Sequence, residues 1–193
     1  ALPLSPDGRS GNFYAFLPMD RAAPFNGCLD APFYPDASRR DLSLTIPLND
    51  FLLDQIADLC LAIAETFADA EETRSEFTNA AIDALAWSDD PRRLLAACKR
   101  ADLDVGGLRL PAMRGKETQS RWARLDEIYG WADQDFKIID SAWLVRVCDL
   151  PMLPRRLGGK RTEALTAFLE DTEWGLNPSD ENWKDWAPAL ASD

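Results

Sequence analysis

The chain contains no histidine at all among its 193 residues. That removes His-based triads, the usual general base at neutral pH, and most zinc and iron sites. It also has no CxxC pair: Cys28, Cys60, Cys98 and Cys148 lie far apart, three of them inside apolar helical patterns, where cysteine acts as a small hydrophobe. We read them as reduced core residues. Long apolar runs are missing too. The longest, such as Leu59 to Ala64, stop well short of the roughly 20 residues that span a bilayer, so no transmembrane helix is expected. The first residues lack a basic region followed by an apolar core, and no lipidation signal is present, so a cytoplasmic setting is expected.

Basic residues are in deficit, 21 Lys and Arg against 33 Asp and Glu, for a net charge of -12. Such a surface opposes the phosphate neutralisation that drives non-specific nucleic-acid binding, so DNA and RNA are disfavoured partners. The cations are clustered, however, in the doublets Arg39-Arg40, Arg92-Arg93, Arg155-Arg156 and Lys160-Arg161, which suit local anion sites. Hydrophobic residues at 46% and aromatics at 10%, with seven Trp, are ample for a packed core.

The pattern along the chain predicts an α+β fold, a small β-sheet covered by a long helix and followed by a mainly helical domain. Residues 1–10 read as a linker remnant, and the lack of an initiating Met points to a piece of something longer. Residues 11–70 read as an α+β unit. Phe13 to Leu17 is a strand stopped by Pro18, Cys28 to Tyr34 a second extended segment made irregular by Pro32, and Leu42 to Ile46 alternates like a third strand. Asn49 then reads as the N-cap of a long helix whose apolar stripe is Leu52, Ile56, Leu59, Cys60, Ile63 and Phe67.

Residues 71–193 change to helices separated by Pro and Gly. Phe77, Ala81, Ala84 and Leu85 share a face, and Asp90-Pro91 opens a further helix with Asp90 as cap. Gly106-Gly107 is a break, Trp122 to Tyr129 predicts a helix ending at Gly130, and Leu165, Phe168 and Leu169 mark another after Gly158-Gly159. Phe136 to Ile139 is an ambiguous extended patch.

The chain carries no complete active site. Carboxylate pairs such as Asp89-Asp90, Glu71-Glu72 and Asp133 with Asp135 arise by chance among 33 acids and lack EF-hand spacing, so no metal site is assigned. Asn26-Gly27 reads as a tight turn. Trp174, Trp183 and Trp186 suit a packing or partner-binding anchor better than a ligand-stacking surface, since Trp183 and Trp186 stand three apart.

Several short pieces recur in order: Gly11-Asn12-Phe13-Tyr14-Ala15-Phe16-Leu17-Pro18, Phe25-Asn26-Gly27, Ala31-Pro32-Phe33, Ser38-Arg39-Arg40-Asp41 and Pro47-Leu48-Asn49. Over about residues 11–70 they resemble the segment that follows the ATP-binding module in sacsin-type, heat-shock-chaperone-like ATPases of the GHKL superfamily. The resemblance implies a transducer-like domain, an upstream ATP-binding domain as partner, and ATP with Mg in that neighbour. The chain itself has neither the DxGxG turn nor a glycine-rich lid, so no cofactor is expected within it. By the same resemblance Arg39 or Arg40 is the candidate phosphate sensor, oriented by Asp41. Arginine suits that task because its planar fork pairs with phosphate oxygens and stays charged. Two other readings stand beside it. The tripeptide is equally a solvated turn with a local salt bridge, and the whole chain is alternatively a protein-protein interaction module with an unknown client and no involvement of ATP.

Overall fold

In the computed structural model, the described residues are 11–128, apart from residues 16, 26, 44, 72, 88–89 and 114–119, together with 151–153 and 161–170. The fold is α+β. Its first element is a three-stranded sheet of order β2-β1-β3, formed by β1 (Asn12–Ala15), β2 (Leu17–Ala22) and β3 (Leu29–Asp30). β1 runs antiparallel to β2 and parallel to β3. Pro18 does not stop the first strand, as its position in the sequence predicted. It sits inside β2 opposite Tyr14, where an edge strand tolerates the missing N–H. Gly11 is required at the start of β1, because a Cβ there would lie 2.1 Å from the carbonyl oxygen of Gly27.

The expected third strand over Leu42 to Ile46 does not form. Leu42 makes only an isolated bridge to Pro35, and the chain then turns, with Ile46 N–H donating to the Ser43 carbonyl before Pro47 opens a helix. That helix, α1 (Pro47–Asp69), has Pro in its first turn and Ile46 at the N-cap with no side-chain cap. Asn49 therefore does not cap it. Its side chain lies buried, 1% exposed, and holds the preceding loop instead. The amide oxygen accepts from Tyr34 N–H at 2.8 Å, and the amide nitrogen donates to the carbonyls of Tyr34 at 2.7 Å and Ser43 at 2.9 Å.

The buried face of α1 is turned from the one its large residues predicted. Leu53, Ala57, Cys60, Leu61, Ala64 and Ala68 point inward; of the predicted stripe Cys60 is buried, Leu52, Ile56 and Phe67 pack half-buried against the core, and Leu59 is exposed. The reason is close approach. Two helices, α2 (Ser75–Leu85) and α3 (Pro91–Arg100), pack on α1, and alanines let the backbones come together. In α2, Ala81, Ala84 and Leu85 are buried as expected, and Phe77 stands 5.2 Å from Phe67. Trp87 follows, fully buried, stacked 5.5 Å from Phe25 and donating its indole N–H to the Ala84 carbonyl, which ties α2 to the first sheet segment.

α1 carries its acids on the flank that meets α3 and a second sheet. That sheet pairs β4 (Arg109–Met113) with β5 (Ser120–Arg124). Arg93 binds three carboxylates, those of Asp50 at 2.5 Å, Asp54 at 2.7 Å and Asp90 at 2.8 Å. Arg100 binds Asp58 at 2.6 Å, and Arg109 binds Glu65 and, at 2.7 Å, Asp69. Burial works against the charge on Arg93, yet the hydrogen bonds it donates to Asp50 and Asp54 prevail and raise its pKa. Asp90 occupies the N-cap position of α3 with a left-handed backbone, φ 56°, but its carboxylate serves Arg93 and makes no cap hydrogen bond.

β5 replaces the helix expected from Trp122 onward. Ala123 is buried and pairs with buried Leu110 of β4, Arg121 and Arg124 on either side of it are exposed and pair with Ala112 and Arg109, and Leu125 just beyond the strand is buried with its N–H donating to the Leu108 carbonyl. A short 3-10 turn at Leu125–Glu127 ends it, and Tyr129 and Gly130 lie outside the described residues. The last described helix, α4 (Arg161–Glu170), buries Leu165, Phe168 and Leu169 as predicted. It reaches α2 through a buried ion pair. Arg161 Nη2 donates to Asp83 Oδ2 at 2.8 Å, and Nε stands 2.8 Å from Oδ1 as an ionic contact outside hydrogen-bond geometry. One cluster of buried side chains runs from Phe13 to Leu169.

Two substitutions test this frame. Asn49→Ala leaves the Tyr34 N–H without its acceptor and takes one of two donors from each of the Tyr34 and Ser43 carbonyls, which keep Ser43 N–H and Ile46 N–H, and is expected to lower stability by about 1–3 kcal/mol in urea unfolding. Arg93→Ala leaves three neighbouring carboxylates facing one another. It should cost about 1–3 kcal/mol, with the loss shrinking at about 0.5 M salt because screening weakens the repulsion.

Candidate functional site: the Asp36–Asp41 loop and its cleft

The loop carrying the Arg39-Arg40-Asp41 tripeptide is built around one carboxylate. Asp36 Oδ1 accepts from Ser38 Oγ at 2.8 Å, Arg40 N–H at 3.2 Å and Asp41 N–H at 3.3 Å. The backbone closes over it, with Asp36 N–H donating to the Asp41 carbonyl at 2.7 Å and Arg39 N–H to the Asp36 carbonyl at 3.0 Å. This is the side-chain mimicry of a turn for which Asp and Ser are suited. The Ser38 hydroxyl, with the amides of Asp41, Arg40 and Arg39 behind it, holds the Asp36 pKa below its ordinary value. Asp20 N–H of β2 donates to the Arg40 carbonyl at 2.9 Å and anchors the loop to the sheet edge.

The geometry separates the three candidate residues. Asp41 accepts from Arg21 Nη1 at 3.3 Å and from Leu42 N–H at 2.7 Å, so its carboxylate serves Arg21 and its own backbone. Arg40 Nε stands 3.9 Å from Asp20 Oδ2, both side chains about three-quarters exposed. Arg39 adopts φ 60° and is exposed, and its guanidinium has no hydrogen bond or ion pair among the described residues. A non-glycine residue held at positive φ in a closed turn is locally strained, and here the turn places an unpaired cation at the surface.

Beside Arg39 opens a cleft of about 580 Å³, lined by Met19, Phe33, Tyr34, Pro35 and Leu48 among others. Apart from Arg39 and the phenol of Tyr34 its lining side chains are apolar. Tyr34 and Leu48 are 53% and 40% exposed, and Asn49 holds Tyr34 in place from behind. An apolar floor with one cation at the rim fits a ligand or partner segment that is mostly apolar and carries one negative group. A smaller cavity of about 140 Å³ lies between Phe13, Trp87, Arg21 and Arg93, but the Arg93 guanidinium there is already engaged by carboxylates.

Among the described residues no group of three or more His, Cys, Asp or Glu is disposed to hold a metal ion, and no helix is long and apolar enough to cross a membrane. Cys60 and Cys98 are free thiols pushed up to about 12 and about 11 by burial, hence unreactive at neutral pH, and Cys28 is a free, half-buried thiol. Cys148, Trp174, Trp183 and Trp186 lie outside the described residues, as do Phe136 to Ile139. Asn49 is the site-forming residue that the sequence reading misassigned. Its signal was Pro47 two residues earlier, which already supplies the helix start and frees the Asn side chain for the loop.

The loop has a pH signature of known sign. Because the folded Asp36 pKa is depressed, its contribution is complete above the unfolded value of 3.8 and is lost as pH falls through the lower folded value. The amide resonances of Arg40 and Asp41 should titrate with a midpoint below 3.8, and Ser38→Ala should move that midpoint upward. A midpoint at or above 3.8 in the wild type contradicts the hydrogen-bonded loop.

No family model matches the chain, and no curated protein or solved structure matches it at a significant level.

Proposed function

We propose that the chain is a non-catalytic element of a larger ATP-dependent protein of the sacsin-like, GHKL type. It would couple the nucleotide state of a neighbouring ATPase domain to a conformational change or to partner binding. One observation carries this reading: the Asp36-centred turn spends its own polar groups internally and leaves the Arg39 guanidinium unpaired among the described residues, whereas Arg93, Arg100 and Arg109 are each matched by carboxylates. A preorganised, always-charged fork is what a terminal phosphate in an adjoining site requires, since it adds charge stabilisation without first breaking an ion pair. The ordered resemblance over about residues 11–70 supports the same assignment. ATP and Mg belong to the neighbour in this reading, and the setting is cytoplasmic.

A second reading, a protein-protein interaction module independent of ATP, is favoured by a different observation. Among the described residues, the four large hydrophobic side chains that stand exposed, Tyr34, Leu48, Phe51 and Leu59, all lie on or beside α1.

The test uses the protein expressed from its own full-length gene. ATP turnover is compared between wild type, Arg39→Ala and Arg40→Ala, with nucleotide affinity measured in parallel. The expected outcome for Arg39→Ala is a fall of at least about tenfold in turnover with ATP binding retained. Arg40→Ala should have a smaller effect, given its contact with Asp20. Unchanged turnover in both variants, or a wild-type protein that binds no ATP, removes the first reading and leaves the second.

A further inference from the structure

The cleft beside Arg39 has a charge opposite to that of the chain around it. The net charge is -12, yet among the described residues no carboxylate lines the cleft and Arg39 is its one charged side chain. Met19 and Phe33 are buried at its floor, Phe33 packed edge-on against Phe13 at 5.2 Å, and Tyr34 and Leu48 stand exposed beside them. Its volume of about 580 Å³ lies within the roughly 300–1,000 Å³ of small-molecule sites. Both its apolar side and its cation are held in place. Asn49 fixes the backbone of Tyr34, and the Asp36 turn fixes that of Arg39. A ligand entering so preorganised a cleft has little protein to order.

The backbone decides between a peptide and a small molecule. A peptide lying in a cleft needs main-chain partners for its own amides. Here Pro32 and Pro35 have no N–H, Phe33 N–H donates to the Ala31 carbonyl at 2.7 Å, and Tyr34 N–H donates to Asn49 Oδ1 at 2.8 Å. The Tyr34 carbonyl already accepts twice, from Asn49 Nδ2 and from Ser43 N–H. The side from Pro32 to Pro35 thus offers no N–H to a peptide carbonyl, and Arg39 N–H is spent on the Asp36 carbonyl. A molecule polar at one end only suits it better. The cation decides that end. One guanidinium fork matches one carboxylate at two points. A phosphate monoester carries about -1.5 to -2 at neutral pH, and no second cation lines the cleft to answer the excess. A wholly apolar occupant would cover the Arg39 charge without pairing it.

We propose that this cleft binds a small apolar monocarboxylate, with the Arg39 guanidinium holding the carboxylate at the rim and the hydrocarbon part lying over Met19 and Phe33 between Tyr34 and Leu48. The binding stands on the cleft alone and needs no ATPase neighbour. One guanidinium serves one anion at a time, so this ligand and the phosphate contact proposed above exclude each other.

Octanoate is the probe, titrated into the whole chain without nucleotide and followed by calorimetry and by amide NMR. Failure here therefore leaves the ATP-turnover test of the full-length protein standing. A dissociation constant on the order of 0.1–1 mM is expected, with shifts at Tyr34, Arg39 and Leu48. Lengthening the chain to decanoate should tighten binding by roughly two- to fourfold per methylene. Octanol, which lacks the charge, should bind at least about fivefold more weakly than octanoate, and Arg39→Gln should abolish that difference. Leu48→Glu, which places an acid in the cleft, should weaken octanoate at least about tenfold, while Arg92→Gln on α3 should change nothing. Arg39 and Leu48 are both exposed, so the variants should melt as the wild type does. Absence of octanoate binding up to about 10 mM overturns the proposal. So does octanol binding as tightly as octanoate, or Arg39→Gln holding octanoate as the wild type does. Tighter binding of N-acetyl-leucine, which has the same charge and an added amide, overturns it in favour of a peptide.

Discussion

One buried amide sets the geometry on which the exposed features depend. Asn49 stands in the first turn of α1 and satisfies the backbone of Tyr34 on both its donor and its acceptor, together with the carbonyl of Ser43. Those bonds are part-buried on the loop side and buried at Asn49 itself, and an unmet partner there costs about 1–3 kcal/mol, so they hold loop and helix together. They fix the rotation of α1 about its axis. They also fix the loop from Tyr34 to Ser43, from which Arg39 projects and beside which the cleft opens.

With the rotation fixed, the three sides of α1 take three distinct jobs. Small residues at Ala57, Ala64 and Ala68 admit α2 and α3 closely. The acids from Asp50 to Asp69 form a rail that arginines of α3 and β4 grip at intervals. The third side is left uncharged. A protein with a large excess of acid thus keeps five of its carboxylates close to cations along one helix, which offsets part of the self-repulsion that its net charge brings.

The existence of the long helix, of α2, α3 and α4, and of the first strand pair's apolar content was written plainly in periodicity, Pro and Gly. The orientation of α1 was not, because the largest hydrophobes were assumed to face inward. Hydrophobicity alone cannot tell a core stripe of alanine from an outward stripe of leucine when neighbouring helices demand close approach. The β4–β5 hairpin was likewise hidden: Trp122, Leu125 and Ile128 fit a helical spacing, while Ala123 and Leu125 fit a strand, and only the partner strand at Leu110 and Ala112 decides between them. Leu42 alternated correctly but pairs only with Pro35 among the described residues, and the Ser43 carbonyl beyond it accepts from Asn49 and from Ile46 N–H where the chain turns into α1. At the candidate site, the tripeptide pointed to the right loop. That Asp36 organises it, and that Asp41 answers to Arg21, depends on contacts across two to twenty residues that no local pattern encodes.

The ion pair between Asp83 and Arg161 has a consequence for how this sequence drifts. Both side chains are nearly sealed from solvent, 6% and 2% exposed, and they are 78 positions apart in the chain. Losing either one alone takes from the other an ionic partner in the interior, a change that costs up to about 3–5 kcal/mol, a large share of a domain's stability. Replacing both at once by apolar residues of similar bulk is nearly neutral. The two codons are therefore expected to change together or not at all. Such a linked pair is a longer-lived mark of common descent than any short surface motif, and gives a way to recognise remote kin whose loops have diverged beyond comparison.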